Sequence, residues 1–211
     1  MKRDLSVGAL AAEAAARRSY GKLIAFLSAR TRDVAGAEDA LAEAFAAALA
    51  DWPVRGVPAN PEAWLLTVAR RRQVDAVRTR KYDEGAAQHL QLLGELGEGD
   101  DGDALPDRRL ELLFACAHPG IDPALRAPLT LQTVLGFDAA TIASAFLVAP
   151  SAMSQRLVRA KAKIRHAGIP FEVPGRERLA QRLDSVLEAI YAAYAEGWSD
   201  ALGADAKRRN L

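Results

Sequence analysis

The stretch 137–166 constrains the fold of this chain more than any other. Asp138 is suited to cap a helix, because its carboxylate can accept hydrogen bonds from the free backbone N–H groups of a first turn. Four apolar residues then follow the spacing of one buried helical face: Ile142, Ala143, Phe146 and Leu147. Pro150 cannot continue that helix but suits the start of the next one. The stretch therefore predicts a helix-turn-helix.

The second of these helices separates apolar from charged side chains. An apolar face is expected to consist of Met153, Leu157, Ala160 and Ile164. The cations are expected to point elsewhere, and residues 151–166 contain five of them and no Asp or Glu: Arg156, Arg159, Lys161, Lys163 and Arg165. A polar first turn followed by cations is typical of a recognition helix, whose start reads base edges while its cations neutralise phosphates. The alternative is a basic, solvated helix of an ordinary bundle.

Composition favours an all-α protein. Half of the 211 residues are hydrophobic, Ala dominates, and alternating runs rich in Val, Ile or Thr are missing. The single cysteine, Cys116, excludes a disulfide within the chain and a Cys-based zinc cluster, and a small buried thiol is expected instead. Since the chain has three scattered histidines and no convincing cofactor loop, we expect no metal, no cofactor and no enzymatic activity.

Charge is segregated along the chain although the net charge is only +1. Residues 70–81 carry six Arg or Lys against one Asp, whereas residues 83–103 carry seven Asp or Glu and no Arg or Lys. Basic helices separated by an acidic connector are compatible with DNA binding, because the local electrostatic potential attracts DNA even when the net charge is near zero. The N-terminus lacks the apolar run of a signal peptide, and no apolar stretch is long enough to span a membrane, so a cytoplasmic protein without membrane contact is expected.

The pattern divides the chain into two small helical domains, 1–82 and 107–167, joined by a flexible acidic linker, 83–106, and followed by a C-terminal helical extension, 168–211. Helices are predicted over 7–29, 36–51, from Asn60 to about 81, 107–117, from Asp122 to about 135, and 176–195. A loop is predicted over 52–59, which contains two prolines and a glycine. The last helix carries one broad apolar stripe, which must bury against the second domain, a second copy or further chain: Leu179, Leu183, Val186, Leu187, Ile190, Tyr191 and Tyr194.

Three stretches in this order resemble a bacterial extracytoplasmic-function (ECF) sigma factor. Residues 36–45 resemble the segment that docks on the clamp helices of core RNA polymerase, residues 60–80 the helix for the promoter −10 element, and residues 152–161 the −35 recognition helix. Residues 110–119 and 168–170 further resemble the subgroup with a helical C-terminal extension. The resemblance implies core RNA polymerase and promoter DNA as partners, and an anti-sigma protein or the C-terminal extension as regulator.

The resemblance also implies roles for individual residues. The −35 element would be contacted by Ser151, Ala152, Ser154, Gln155, Arg156, Arg159, Lys161 and Lys163. The −10 element would be contacted by Trp52, Arg55, Asn60, Trp64, Arg70, Arg71 and Arg78. Polymerase would be bound through Glu38, Asp39, Ala42 and Glu43.

Two other functions fit the residues themselves. A dimeric repressor with a terminal helix-turn-helix would bind a palindrome without polymerase. A helical adaptor that binds only protein would lack salt-dependent affinity for DNA.

Overall fold

The computed structural model describes residues 7–84 and 106–199, with side chains described over 7–76 and 106–194. This part of the chain contains helices and no strand, which confirms the all-α prediction. The helices are α1 (Val7–Thr31), α2 (Val34–Arg55), α3 (Pro61–Glu84), α4 (Arg109–Cys116), α5 (Pro123–Thr133), α6 (Ala139–Ala145), α7 (Pro150–His166) and α8 (Arg176–Ser199). None of the described helices is both long enough and apolar enough to cross a membrane.

The chain divides into two compact units. Unit 1 combines Met1–Ala15 with Gly36–Pro106, and unit 2 combines Ala16–Ala35 with Asp107–Leu211. Helix α1 therefore contributes its beginning to unit 1 and most of its length to unit 2. The predicted linker begins inside α3, and its residues 85–105 lie outside the described part. The functional boundaries at 82, 107 and 167 stay predictions.

In unit 1, α2 is longer than predicted and includes Trp52. The helix passes through Pro53 and stops at Arg55, because Gly56 adopts a left-handed φ of 88° and its N–H donates to the Trp52 carbonyl over 3.0 Å. The predicted loop 52–59 is therefore wrong over its first half. A Cβ on Gly8 would lie 2.9 Å from the backbone nitrogen of Pro53, so the glycine allows the start of α1 to pack closely over this last turn.

The start of α3 confirms the cap predicted at Asn60. Its side-chain oxygen accepts a hydrogen bond from the N–H of Ala63 over 3.1 Å, and Pro61 occupies the first helical position. The cap matters for function because it fixes where the basic helix begins.

Helix α5 lies at the centre of unit 2 and contacts the other four helices of residues 109–199. Asp122 caps it by accepting from the N–H of Ala124 over 3.0 Å, and Gly136, with a φ of 74°, follows its end, as the sequence predicts. The largest fully buried side chains of this core are Leu112, Ile121, Leu129, Leu131, Ile142, Met153 and Leu157. Cys116 is a buried thiol, 3.4 Å from the Thr133 hydroxyl, and this confirms its structural interpretation.

The second half of α1 belongs to unit 2. The contacts that hold it there were not predicted from the sequence. Gly21 lies against the carbonyl of Val134, where a Cβ would collide. At the end of α1, Arg32 has a φ of 53° and donates through Nη1 to the Gly168 carbonyl over 3.2 Å. The neighbouring Asp33 pairs with Arg165 at 3.2 Å, beside the end of α7.

Within the described residues, the second domain buries only part of the predicted apolar stripe on α8. Val186, Ala189 and Ala193 are buried, whereas five large residues of the predicted stripe are 39–73% exposed: Leu183, Leu187, Ile190, Tyr191 and Tyr194. The helix packs against α4 and α5 through its small residues, because these allow a close approach. The large side chains lie beside this packed face, where the described part of the chain leaves them open to solvent.

Candidate nucleic-acid interface

The N-terminus of α6 is fixed by its predicted cap. The Asp138 carboxylate accepts from the N–H groups of Ala140 and Thr141 over 3.0 and 2.8 Å, and from the Thr141 hydroxyl over 2.9 Å. The backbone N–H of Thr141 is the main cause that holds the pKa of Asp138 below its usual value. The cap therefore favours the ionised carboxylate and defines the first turn of the α6–α7 pair.

The turn between α6 and α7 differs from the prediction at Leu147. Helix α6 ends at Ala145, and the Val148 N–H donates back to the Ala143 carbonyl over 2.9 Å, which closes the helix end with Leu147 at a left-handed φ of 53°. Leu147 was expected on the buried face but is 94% exposed. The periodic pattern failed here because the helix stops two residues before it.

The inner face of α7 confirms the predicted apolar spacing. Met153, Leu157, Ala160 and Ile164 are buried. Lys161 is also buried, at 7% exposure, so the expectation that it points away from the apolar face is wrong. It lies four residues after Leu157 and three before Ile164, so it shares their side of the helix and its long stem can be covered by the core. Lys161 is consequently not part of the exposed cationic surface.

The outer face of α7 carries most of the residues predicted to contact the −35 element. Ala152 is half-buried; the exposed members are Ser151, Ser154, Gln155, Arg156, Arg159 and Lys163. The Nε of Arg159 donates to the Gln155 carbonyl over 3.3 Å, so this guanidinium lies along its own helix. We name these six exposed residues the α7 face. It can offer hydroxyl, amide and guanidinium groups to a ligand, without a carboxylate from the same helix.

The two tryptophans predicted at the −10 contact have different environments. Trp52 is 2% exposed, so it cannot stack on a base without unfolding its surroundings, and its prediction as a contact residue is corrected. Its ring packs edge-on against Trp64, with centroids 5.4 Å apart and planes inclined by 67°. Trp64 is only half-buried. Trp52 therefore supports Trp64 from within the core.

Ion pairs within unit 1 involve an arginine predicted near the −10 element and a neighbour of that set. Arg55 pairs with Asp51 at 3.1 Å, and Arg72, the neighbour of the exposed Arg71, pairs with Glu43 at 3.1 Å. Arg70 is half-buried. The side chain of Arg78 lies outside the described residues. We name the exposed or half-buried −10 residues at the start of α3 and along it the α3 face: Asn60, Trp64, Arg70 and Arg71.

The residues predicted to bind polymerase share one side of α2. Asp39, Ala42 and Glu43 are exposed, and Glu38 is half-buried. Their sequence spacing places them on adjacent rows of the helix surface. Sequence reasoning missed the Glu43–Arg72 pair, because residues of two different helices meet only after the tertiary fold is known. Among the described residues, no group of His, Cys, Asp or Glu could hold a metal ion.

Comparisons with known proteins relate the chain to a family and to a bacterial protein. Residues 15–82 match the family described as Sigma-70 region 2, which supports a sigma-70 family factor. An uncharacterized protein of Rhizobium meliloti (strain 1021) is 37% identical over 209 residues, which cover 96% of this chain. The chain spans about half, 48%, of the length of that relative. No solved structure matches the chain significantly.

Proposed function

We propose that this chain directs core RNA polymerase to promoters as a sigma factor of the ECF type, with the helical C-terminal extension of its subgroup. The match of residues 15–82 to Sigma-70 region 2 carries the proposal. In it the protein has no catalytic activity of its own and works in the cytoplasm. Its contribution is to hold two promoter elements while polymerase supplies the chemistry.

The α7 face would read the −35 element in the major groove. The first turn of α7 brings Ser151, Ser154 and Gln155 to the solvent side of the helix, where hydroxyl and amide groups can bond base edges. Arg156 and Arg159 lie next along the same face and can bond a guanine or a phosphate. Residues 151–166 contain no acid that would repel phosphates, and this favours the DNA backbone as the partner of α7.

The α3 face would hold the −10 element. Opening the duplex exposes bases, and each unstacked base costs a few kcal/mol that an aromatic or shaped surface must offset. Trp64 is the aromatic side chain of the α3 face, and the buried Trp52 packs edge-on against its ring and holds it in place. Arg71 and Arg78 would hold the backbone. Since Arg55 is exposed, it can leave Asp51 for a phosphate at little cost.

The exposed side of α2 would bind the clamp helices of polymerase through Glu38, Asp39, Ala42 and Glu43. An anti-sigma protein or the C-terminal extension would regulate the factor. Because this side of α2 is acidic, its contact with polymerase should weaken as the salt concentration rises. Glu43 is shared between this surface and the pair with Arg72.

Reconstitution with core RNA polymerase tests the proposal. Run-off transcription from a promoter library should yield promoters with a −35 and a −10 element, and Arg156→Ala should lower transcription from those that depend on −35. Arg176→Ala, on an exposed position of α8, is the matched control and should act like the wild type. Binding to a palindrome without polymerase would instead support the repressor, and no salt-dependent DNA affinity would support the adaptor.

A further inference from the structure

A cationic cluster in unit 2 lies outside the surfaces used above. Arg178, Arg182 and Ser185 are spaced so that they share one face of α8. The Nη1 of Arg182 donates to the Phe114 carbonyl over 3.4 Å, near the end of α4. The Ser185 hydroxyl accepts from Nη1 of Arg126 at 3.5 Å. This face of α8 therefore lies against the turn between α4 and α5.

The turn itself holds Arg126 and His118 in place. The Nε of Arg126 donates to the Ile121 carbonyl over 3.0 Å, and its Nη2 donates to the Pro119 carbonyl over 3.4 Å. The Gly120 N–H donates to Nδ1 of His118 over 3.0 Å, so the ring proton lies on Nε2 and is a free donor. Burial, followed by the nearby arginines, lowers the pKa of His118, and the ring is therefore neutral at pH 7.

Arg182 is the least compensated charge of the cluster. It is 3% exposed, and its Nε has no hydrogen-bond partner among the described residues. The carbonyl end of α4 offsets part of the charge through Phe114, but the bond is long. Glu172 is the acid that acts on Arg182, and it is exposed. A buried charge without a close counter-ion is strongly unfavourable, so this environment favours an external anion.

We propose that His118, Arg126, Arg178 and Arg182 form a binding site for a phosphate-type oxyanion. Three guanidinium groups, of which Arg182 is buried and has the exposed Glu172 as the acid that acts on it, present positive charge that a dianion can neutralise. A tetrahedral oxyanion also has enough acceptors for several guanidinium N–H groups and for Nε2–H of the histidine. The site does not rest on the proposed promoter function and uses none of its residues.

Binding of inorganic phosphate to the full chain tests the site. At constant ionic strength and pH 7.5, calorimetry should detect binding, and thermal unfolding should shift upward by roughly 3–6 °C at about ten times Kd, with chloride as the reference anion. Arg178→Gln should weaken phosphate binding about tenfold or more, because it removes a rim guanidinium without emptying the core. Arg182→Gln should abolish it.

The matched control is Arg176→Gln, a change of the same type at an exposed position two residues from Arg178. It should bind phosphate like the wild type. If Arg182→Gln fails to fold, the pair Arg178→Gln and Arg176→Gln decides. Equal phosphate responses in these two variants, or no response in the wild type, would overturn the proposal.

A second arm identifies the source of the phosphate group. If the site takes free phosphate or a phosphorylated small molecule, Arg178→Gln reduces the thermal shift and leaves duplex affinity unchanged. If it takes the DNA backbone, Arg178→Gln also lowers duplex affinity, and phosphate competes with DNA. Both outcomes support an oxyanion site. The test is independent of the promoter proposal, because Arg156→Ala should bind phosphate like the wild type.

Discussion

The α7 face and the α3 face hold their cations differently. On α7, Arg156 and Lys163 are exposed on a helix without carboxylates over residues 151–166, whereas Arg72, beside the α3 face, pairs with Glu43 at 3.1 Å. The α7 face can therefore meet a polyanion directly, while DNA at α3 must compete with exposed pairs worth about 0–1 kcal/mol each. Local positive charge therefore attracts a polyanion most strongly where it is not already paired with an acid of the same fold.

The largest expected effect separates the two tryptophans of the α3 region. Trp52→Ala should lower the free energy of unfolding by about 3–5 kcal/mol, because it empties a fully buried site. Trp64→Ala should cost less stability and should mainly reduce duplex opening. Urea unfolding and fluorescence of a base analogue at the −10 element measure the two effects. An unchanged urea midpoint in Trp52→Ala would show that its burial is not structural.

Removal of one cation from each side should sharpen the contrast in affinity. Arg156→Ala should weaken duplex binding by about 1–3 kcal/mol if it bonds a base, or reduce the salt slope by about one if it bonds a phosphate. Arg72→Ala should have a smaller effect, because its charge is already partly neutralised by Glu43. Fluorescence anisotropy over a range of salt concentrations measures both. Equal losses would break the comparison.

The position of the α7 face depends on α6, which the Asp138 cap stabilises. Asp138→Ala should cost about 1 kcal/mol of stability. Since hydrogen bonds lower the pKa of Asp138 in the folded state, its contribution is present above the unfolded pKa, near 3.8, and is lost as the pH falls through the lower folded value. Asp138→Asn should retain most of the cap and lose this pH dependence. Urea unfolding between pH 7 and pH 2 is the measurement; an identical pH dependence in Asp138→Asn would contradict it.

The turn before α7 holds strain that a glycine should release. Leu147 adopts a left-handed conformation that costs an L-residue roughly 1–2 kcal/mol, while its side chain is 94% exposed and adds little packing. Leu147→Gly should therefore raise stability by up to about 1 kcal/mol, after the entropy of glycine is subtracted. Thermal unfolding checks the gain. A loss of stability would indicate that the Leu147 side chain makes a contact in solution.

The smallest effect should reverse sign between the two proposed partners. Glu43→Gln removes the counter-charge of Arg72, so DNA affinity should rise by less than about 1 kcal/mol. The same change removes an acid from the proposed polymerase surface, so affinity for core polymerase should fall. Asp39→Gln is the control, because Asp39 is exposed on the same side of α2 and should affect polymerase alone. Parallel changes of both affinities would argue against two separate surfaces.

Local signals in the sequence predicted much of this fold. Asn60, Asp122 and Asp138 each cap the predicted helix, and Gly136 takes the left-handed conformation that follows a helix end. These features were predictable because a cap depends on residues within one turn of it. The buried face of α7 followed from spacing alone, since apolar residues at helical intervals leave few other arrangements.

Tertiary contacts were harder to predict because they join distant residues. The burial of Trp52 depends on the close approach that Gly8 allows, and the split face of α8 depends on its small residues meeting α5. Lys161 shows the same difficulty in the candidate site. Its charge predicted an exposed side chain, but its position on the helix places it in the core. Residue type alone does not decide between these outcomes.

Transcription by core RNA polymerase with this protein on a randomised promoter library tests the central claim most directly. We expect the selected promoters to contain two separated elements. Arg156→Ala should change the preference at the −35 element, and Arg71→Ala should weaken the preference at the −10 element. Promoter-independent transcription, or selection of one palindrome that the protein binds without polymerase, would contradict it.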